Sequence, residues 1–228
     1  MSKTPAAFKV LTLVAITGFI ASLGAFVLVS SLRGQRATSN SGLSAPEVPQ
    51  PQDFASLRVP EFEFTDHNGS TADQALFENQ VTILDFFFTS CPLACPGMTA
   101  KMKGLAKTLD GLPIRFVSVS VDGATDTPER LRDYAAKNEL DLDRWTLLTG
   151  SQEGVQAMLE EGLGMTIRVD DTNRFPVEGG GETLNVIHPT RLLLIRPDRG
   201  VEYAASYTRQ NEIELLVERA RALADGEG

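Results

Sequence analysis

Cysteine and histidine are scarce in this chain of 228 residues, which contains two of each. The cysteines, Cys91 and Cys95, lie four positions apart, and the histidines are His67 and His188. Cysteines that serve only as small core residues have no reason to cluster, because burial makes no demand on their spacing. Thiol or soft-metal chemistry in this chain is therefore centred on residues 91–95.

Basic residues are fewer than acidic ones. Residues 1–36 contain four basic residues and no acidic ones, so the rest of the chain has 17 basic and 30 acidic residues, a net charge of −13. This balance argues against nucleic-acid binding, which requires a basic surface. It is typical of a solvated acidic surface, and it also suits a basic or metal-carrying partner.

One long uncharged apolar run is present, from Val10 to Val29. In a helix this run spans roughly 30 Å, the thickness of the hydrocarbon core of a bilayer. The apolar part of a cleaved signal peptide is shorter, about 7–15 residues. We therefore predict a single uncleaved transmembrane helix within residues 1–33, a linker rich in serine and proline over residues 34–58, and one domain over residues 59–224.

The two cysteines lie where a predicted strand meets a predicted helix. Val81 to Phe88 is an apolar run of strand length, and helical sequence begins at Pro96, a residue suited to a first helical turn. Cysteines four apart share a helix face, and a helix N-terminus favours thiolates. Such a pair can hold Cu(I), form a disulfide or, with an added imidazole, bind Cu(II) or zinc. Two buried reduced cysteines are the purely structural alternative.

The two histidines have different surroundings. His67 lies in the segment DHNG, where Asn-Gly is a strong signal for a hairpin turn, and we predict an exposed turn residue. His188 lies between an apolar strand end and Pro189, so it is predicted in a loop at the rim of a sheet. It is the candidate imidazole for a site at the thiols.

Strand and helix patterns alternate along the domain, which predicts an α/β fold. The predicted strands are a hairpin around Phe62 and Phe64, then Val81–Phe88, Ile114–Val121, Trp145–Leu148, Met165–Val169, Leu192–Ile195 and Val201–Tyr207. The predicted helices are Pro96–Leu109, Pro128–Lys137 after a Thr127 cap, Ser151–Leu163 and Glu212–Ala224. Residues 170–182, with three consecutive glycines, are predicted to form a mobile loop that gates His188.

Two further residues have structural interpretations beside the functional ones. Met98 is three residues after Cys95, but a methionine on the apolar face of a helix is more often a core residue than a copper ligand. Asp126 precedes a helix, and its structural interpretation is helix capping.

Four segments, in order, resemble signatures of the Sco/SenC family of membrane-anchored copper proteins. They are LDFFFTSCPLACP at 84–96, VSVSVD at 117–122 with DTPERL at 126–131, WTLLTG at 145–150, and VIHPT at 186–190. The resemblance covers about residues 60–224. The chain departs from the family at Gly123, where proline is usual, and after His188, where Pro189 precedes Thr190.

The resemblance implies a thioredoxin-like three-layer α/β sandwich with a central mixed sheet, preceded by one transmembrane helix. It implies that Cys91, Cys95 and His188 bind one copper ion, Cu(I) or Cu(II), and that Asp122 and Asp126 are acids near the metal. The implied function is copper delivery to cytochrome c oxidase subunit II or another copper acceptor, with a periplasmic copper donor or thiol reductant as a further partner. The implied location is the cytoplasmic membrane, with the domain in the periplasm.

Two alternatives to a metallochaperone fit the thiol pair. A thiol-disulfide oxidoreductase would use Cys91 to attack and Cys95 to resolve, although thioredoxin-type motifs have two intervening residues and this chain has three. A peroxidase is suggested by Thr89 two residues before Cys91, but the proline that peroxiredoxin-like sites place upstream is absent.

Overall fold

The computed structural model describes residues 54–176 and 180–226. All described residues belong to one compact unit of the chain. The predicted anchor and most of the predicted linker lie outside the described residues, so they stay predictions. Among the residues described, no helix has the length and apolar character needed to cross a membrane.

A seven-stranded mixed sheet forms the centre of the described domain, and a separate pair of strands lies outside it. The strands are β1 (Glu63–Asp66), β2 (Thr71–Asp73), β3 (Val81–Phe87), β4 (Ile114–Ser120), β5 (Trp145–Thr149), β6 (Arg168–Pro176), β7 (Glu182–Ile187), β8 (Arg191–Ile195) and β9 (Val201–Ser206). The sheet order is β2-β1-β5-β4-β3-β8-β9. Strands β3, β4 and β5 are parallel, and the other neighbours are antiparallel. The predicted α/β class and central mixed sheet are confirmed.

Strands β3 and β4 are the inner strands that support the thiols. Every residue of β3 is buried, and Leu84 of β3 lies opposite Val117 of β4 in parallel register. Parallel strands covered on both faces require continuous apolar runs, which is the pattern that predicted them. Because β3 ends at Phe87, the segment that follows it emerges at the rim of the sheet.

The helices match their predicted positions closely. They are α1 (Cys95–Thr108), α2 (Pro128–Lys137), α3 (Gln152–Ala157, continued by a π-helical turn over Met158–Gly162) and α4 (Gln210–Ala224). Short 3-10 turns cover Phe54–Ser56 and Gln74–Phe77. The predicted apolar face of α1 is fully buried, including Met98. The Thr127 hydroxyl accepts a hydrogen bond from the Arg130 backbone N–H, so Thr127 caps α2 as predicted.

The packed part of the chain begins before residue 59. Phe54 is buried, the Arg58 N–H donates to the Gly162 carbonyl over 3.0 Å, and the Val201 N–H donates to the Leu57 carbonyl over 2.9 Å. Residues 54–58, assigned to the linker by composition, therefore contact the domain.

The segment before His188 differs from its prediction. The predicted strand Met165–Val169 begins at Arg168, and most of the predicted loop 170–182 is an antiparallel hairpin of β6 and β7, here called the arm. A bulge lies between Asp170 and Arg174, where the Asp170 carboxylate accepts hydrogen bonds from Thr172, Asn173 and Asn185. Hydrogen bonds to a side chain, rather than packing into the core, stabilise this bulge. The residues that form it are therefore polar, as in a loop.

Candidate thiol and metal site

The two cysteines lie on the connection between β3 and α1. Cys91 follows the strand by four residues and is partly exposed, whereas Cys95 opens the helix and is buried at 1% exposure. Both thiols are free. The predicted strand-to-helix setting is confirmed. It gives one thiol access to solvent and keeps the other inside the protein.

Asp126 fixes the backbone just before Cys91. Its carboxylate accepts hydrogen bonds from the Thr89 N–H at 2.9 Å, the Thr89 hydroxyl at 2.5 Å and the Ser120 hydroxyl at 2.6 Å. Asp126 is fully buried, and burial raises its pKa although these donors oppose the shift. Its side chain does not cap α2, because Thr127 does so. The capping interpretation of Asp126 is wrong, and the residue instead ties the thiol segment to the end of β4.

Asp122 lies on the same turn. It is 7% exposed, its backbone N–H donates to the Ser120 hydroxyl at 3.1 Å, and its carbonyl accepts from the Asp126 N–H. Its negative charge contributes to the raised pKa of Asp126. Both acids predicted near the site are thus grouped at the end of β4, on the side of Thr89.

His188 lies next to Cys95. It follows β7 directly, is 7% exposed, and its Nε2 lies 3.8 Å from the Cys95 Sγ. Its Nδ1 lies 3.2 Å from the Pro189 carbonyl. Since a carbonyl only accepts, this bond places the hydrogen on Nδ1 and leaves the Nε2 lone pair facing Cys95. Burial lowers the pKa of His188 to about 4, so the ring is neutral at pH 7.

An aromatic layer holds the imidazole in place. The Phe88 ring meets the His188 ring edge-on, with centroids 6.0 Å apart, and stacks on Phe175 of the arm at 6.3 Å. The arm therefore packs on the same phenylalanine that supports the histidine.

The pKa values of the two thiols are shifted in opposite directions. The Cys95 side chain donates a hydrogen bond to Cys91 and, with the backbone N–H groups of Leu93, Ala94 and Cys95, lowers the pKa of Cys91 to about 6. The pKa of Cys95 is raised, first by its bond to Cys91 and then by burial. At neutral pH the site holds a Cys91 thiolate, a Cys95 thiol and a neutral imidazole.

The donors do not form a closed metal cage. Within residues 54–176 and 180–226, no group of three or more His, Cys, Asp or Glu side chains is arranged to hold a metal ion. The structure brings Cys95 and His188 together, with Cys91 as the hydrogen-bonded neighbour of Cys95. The donor types still fit a soft or borderline ion, because they are two sulfurs and one imidazole nitrogen.

His67 departs from its prediction. It is 4% exposed, and its Nδ1 accepts from the Leu147 N–H at 3.3 Å. The predicted exposed turn residue is wrong, because β1 pairs with β5 and brings the turn against the sheet. Its bond to β5 gives His67 a structural role.

Asp85 was missed by the sequence interpretation. It is 1% exposed in β3, and it accepts a hydrogen bond from the Ser118 hydroxyl at 2.5 Å. Its charge adds to the raised pKa of Cys95. A single carboxyl inside an apolar strand run was the signal that could have identified it.

Comparison with known proteins agrees with the resemblance. The SCO1/SenC family model matches residues 50–225. A SCO1 protein homolog of Bacillus subtilis is 31% identical over 152 residues, which are 65% of this chain and 74% of that protein. A copper-binding protein of Stutzerimonas stutzeri is 28% identical over 145 residues, which are 61% of this chain and 65% of that protein.

A solved structure shares the fold. BsSco, described as having a disulfide switch and as a member of the Sco family of cytochrome c oxidase assembly proteins, superposes with a TM-score of 0.60. It is 25% identical, and the match covers 75% of this chain and 95% of that chain. The likeness and the mixed sheet confirm a thioredoxin-like α/β fold.

Proposed function

Because the chain belongs to the SCO1/SenC family, we propose that it is a copper metallochaperone for the binuclear copper centre of cytochrome c oxidase. Its cargo is one copper ion, held by Cys91, Cys95 and His188. The relatives support this role, since one is named as copper-binding and BsSco belongs to a family of oxidase assembly proteins.

One observation carries the proposal. The Nε2 lone pair of His188 faces the Cys95 sulfur at 3.8 Å, while Nδ1 is engaged by the Pro189 carbonyl. An imidazole oriented in this way is a ready borderline donor beside a pair of soft ones. Dithiol exchange alone has no use for a buried neutral histidine at this position.

The three proposed ligands have different roles in the binding and release of copper. Cys91 is already biased towards the thiolate, whereas Cys95 has to lose its proton when copper binds. Cys95 and His188 are buried and Cys91 is partly exposed. Cys91 is therefore the donor through which an incoming acceptor thiol exchanges copper.

The proposal includes the location. Residues 1–33 hold the protein in the cytoplasmic membrane, and the domain works in the periplasm, where an oxidase acceptor would present its copper site. Extracytoplasmic thiols tend to oxidise, so a periplasmic reductant is required to keep the pair in its dithiol form.

A thiol-disulfide reductase that prepares the acceptor cysteines is the second candidate. The observation in its favour is the asymmetry of the pair, a partly exposed Cys91 with a pKa of about 6 beside a buried Cys95 with a raised pKa. This is the arrangement of an attacking and a resolving thiol.

Copper titration of the reduced full-length protein tests the metal site. We expect one copper per chain in either oxidation state, with a thiolate-to-copper charge-transfer band for Cu(II). Cys91→Ser and Cys95→Ser should each abolish tight binding, because each removes one of two soft donors. Clear Cu(II) binding without the charge-transfer band would refute thiolate ligation.

His188→Ala separates the two candidates in the same titration. We expect Cu(II) affinity to fall by more than roughly a hundredfold, since even changes around a ligand reduce metal affinity about 10–100-fold. Cu(I) binding should change far less, because two thiolates satisfy it. His67→Gln, which alters the other histidine, is the control and should leave both affinities unchanged. If oxidase assembly in cells survives His188→Ala but fails with Cys91→Ser, the reductase is favoured.

A further inference from the structure

We propose that a cleft beside Cys91 binds an extended, acidic segment of the protein that receives the copper. The cleft has a volume of about 760 Å³ and is lined by the thiol segment, one face of α2 and the arm. This inference rests on the proposed function, because it assigns the acceptor to the exposed side of the thiol pair. A metal ion alone needs far less space.

One helix face forms the long wall of the cleft. Arg130, Asp133, Tyr134 and Lys137 of α2 all line it, at spacings of three, four and seven residues that share one face of a helix. From residue 130 to 137 the helix rises roughly 10 Å. An extended chain covers this length with about three residues at roughly 3.3 Å each.

Three ring side chains give the cleft parts of its surface that have little freedom to move. Tyr134 is fixed by a 2.6 Å hydrogen bond to Thr99 and by its ring contact with Phe87. Pro96 and Pro176, which lack backbone N–H groups, also line the cleft. An aromatic ring and two proline rings beside a row of polar groups suit a peptide backbone and its side chains, rather than a single small ion.

The α2 wall of the cleft has a charge opposite to that of the molecule. Arg130 and Lys137 line it with Asp133 as the lining acid, whereas the whole chain carries a net charge of −9. Arg130 also reaches the Ser90 hydroxyl at 3.5 Å, next to Cys91. A segment with Asp or Glu beside its receiving thiol is attracted to this cleft, although most of the acidic surface repels it.

An exposed apolar residue adjoins the same thiol. Leu93 is 68% exposed, two positions after Cys91 on the loop between the cysteines. One exposed leucine is common on protein surfaces, so its position beside Cys91 is what makes it part of the proposed surface. Cys91, Leu93 and the α2 face together form the proposed docking surface.

Disulfide exchange with charged peptides tests the cleft without copper. The full-length Cys95→Ser protein is mixed with peptides whose single cysteine carries a 2-thiopyridyl group and is flanked by two Glu or two Lys. The Cys91 thiolate attacks the peptide sulfur, a Cys91–peptide disulfide forms, and pyridine-2-thiolate leaves and takes up a proton. We expect the Glu peptide to react roughly threefold or more faster than the Lys peptide at low salt.

Charge-reversal variants locate the effect. Lys137→Glu should remove or invert the preference, and Lys107→Glu, which changes the net charge equally but lies on exposed α1 surface outside the cleft, should retain it. Reaction with uncharged 4,4′-dithiodipyridine, measured in parallel, corrects for any change in the Cys91 thiolate itself. Equal rates for both peptides, or the same loss in both variants, would overturn the proposal.

The copper titration distinguishes this inference from its premise. If the wild-type protein binds no copper, the proposed function fails whatever the peptides show. If copper binds with the expected stoichiometry and peptide charge has no effect, the site stands and the cleft is not its docking surface.

Discussion

At the scale of single residues, Asp85 has a protonation state that is unusual for a carboxyl group. It accepts from the Ser118 hydroxyl, which itself accepts from the Trp145 indole N–H at 2.9 Å, so a chain of polar groups crosses three strands. Burial raises the pKa of Asp85 to about 7, and the Ser118 bond only partly opposes this. The carboxyl therefore titrates near neutral pH, beneath the thiol pair.

Asp85→Asn should change how stability depends on pH. The folded chain keeps a proton that the unfolded chain releases between about pH 4 and pH 7, so this group makes the free energy of unfolding fall as pH rises through that window. The fall amounts to about 4 kcal/mol at most for a shift from 3.8 to about 7. Urea unfolding at pH 5 and pH 8 should show it in wild type and not in the variant.

Comparing the wild-type protein with Asp85→Asn isolates the contribution of Asp85 to the pH dependence of stability. The lowered pKa of His188 has the opposite effect on the free energy of unfolding, because the unfolded chain binds a proton there that the folded chain does not bind. His188 is present in both proteins, so its contribution cancels in the difference. Asp143→Asn, at an exposed carboxyl, is the control and should keep the wild-type slope. An unchanged slope in Asp85→Asn would contradict the assignment.

The location and burial of single side chains could be predicted from the sequence for some residues and not for others. Cys91, Cys95 and Met98 lie where their spacing along a strand and a helix placed them. The prediction for His67 was wrong, since its burial depends on the pairing of β1 with β5, a strand that includes Leu147, 80 residues further along the chain. Local turn chemistry identifies the turn, but it cannot show what the turn packs against.

At the scale of elements, two glycines allow the turn after β4 to pass the end of β5. A Cβ at Gly123 would lie 1.8 Å from the Gly150 carbonyl oxygen, and a Cβ at Gly150 would lie 2.2 Å from the Phe64 ring. This approach explains the departure from the family at position 123, because proline also carries a Cβ. The turn that carries Asp122 and Asp126 is thereby held against β5.

Gly123→Ala should destabilise the protein by roughly 2 kcal/mol or more, since the new methyl group meets backbone that has little freedom to shift. Gly104→Ala is the matched control. It lies on the exposed face of α1 with no atom within 4 Å of its added Cβ, and it should stabilise the helix by about 0.5–1 kcal/mol. Urea unfolding of both variants measures the contrast, and equal stabilities would refute the close-approach argument.

Elements whose apolar residues recur at the spacing of a strand or a helix could be predicted from the sequence, but the arm could not. Strands β3 and β4 and helix α1 are fixed by buried faces whose spacing is visible in the sequence. The arm packs few of its residues into the core, and the polar residues 170–173 at its bulge have the composition of a loop. The pairing that forms it depends on backbone hydrogen bonds, which leave no apolar pattern.

At the scale of the whole molecule, the predicted anchor would decide where the thiol site operates. We expect residues 1–30 to remain on the mature protein, because the uncharged run from Val10 to Val29 has membrane-spanning length. N-terminal sequencing of protein recovered from membranes checks this. A mature start after residue 25, with the protein in the soluble fraction, would show that the run is a cleaved signal.

The strand order also determines how late in synthesis the complete site can form. Cys95 and His188 are 93 positions apart, and they meet only because β8 returns to pair with β3. A ribosome adds roughly 5–20 residues each second, so both thiols leave it several seconds before the imidazole does. During that interval the segment presents two sulfurs and no nitrogen ligand. Protection of the pair from wrong metals and from oxidation is therefore a need of biosynthesis as well as of the finished protein.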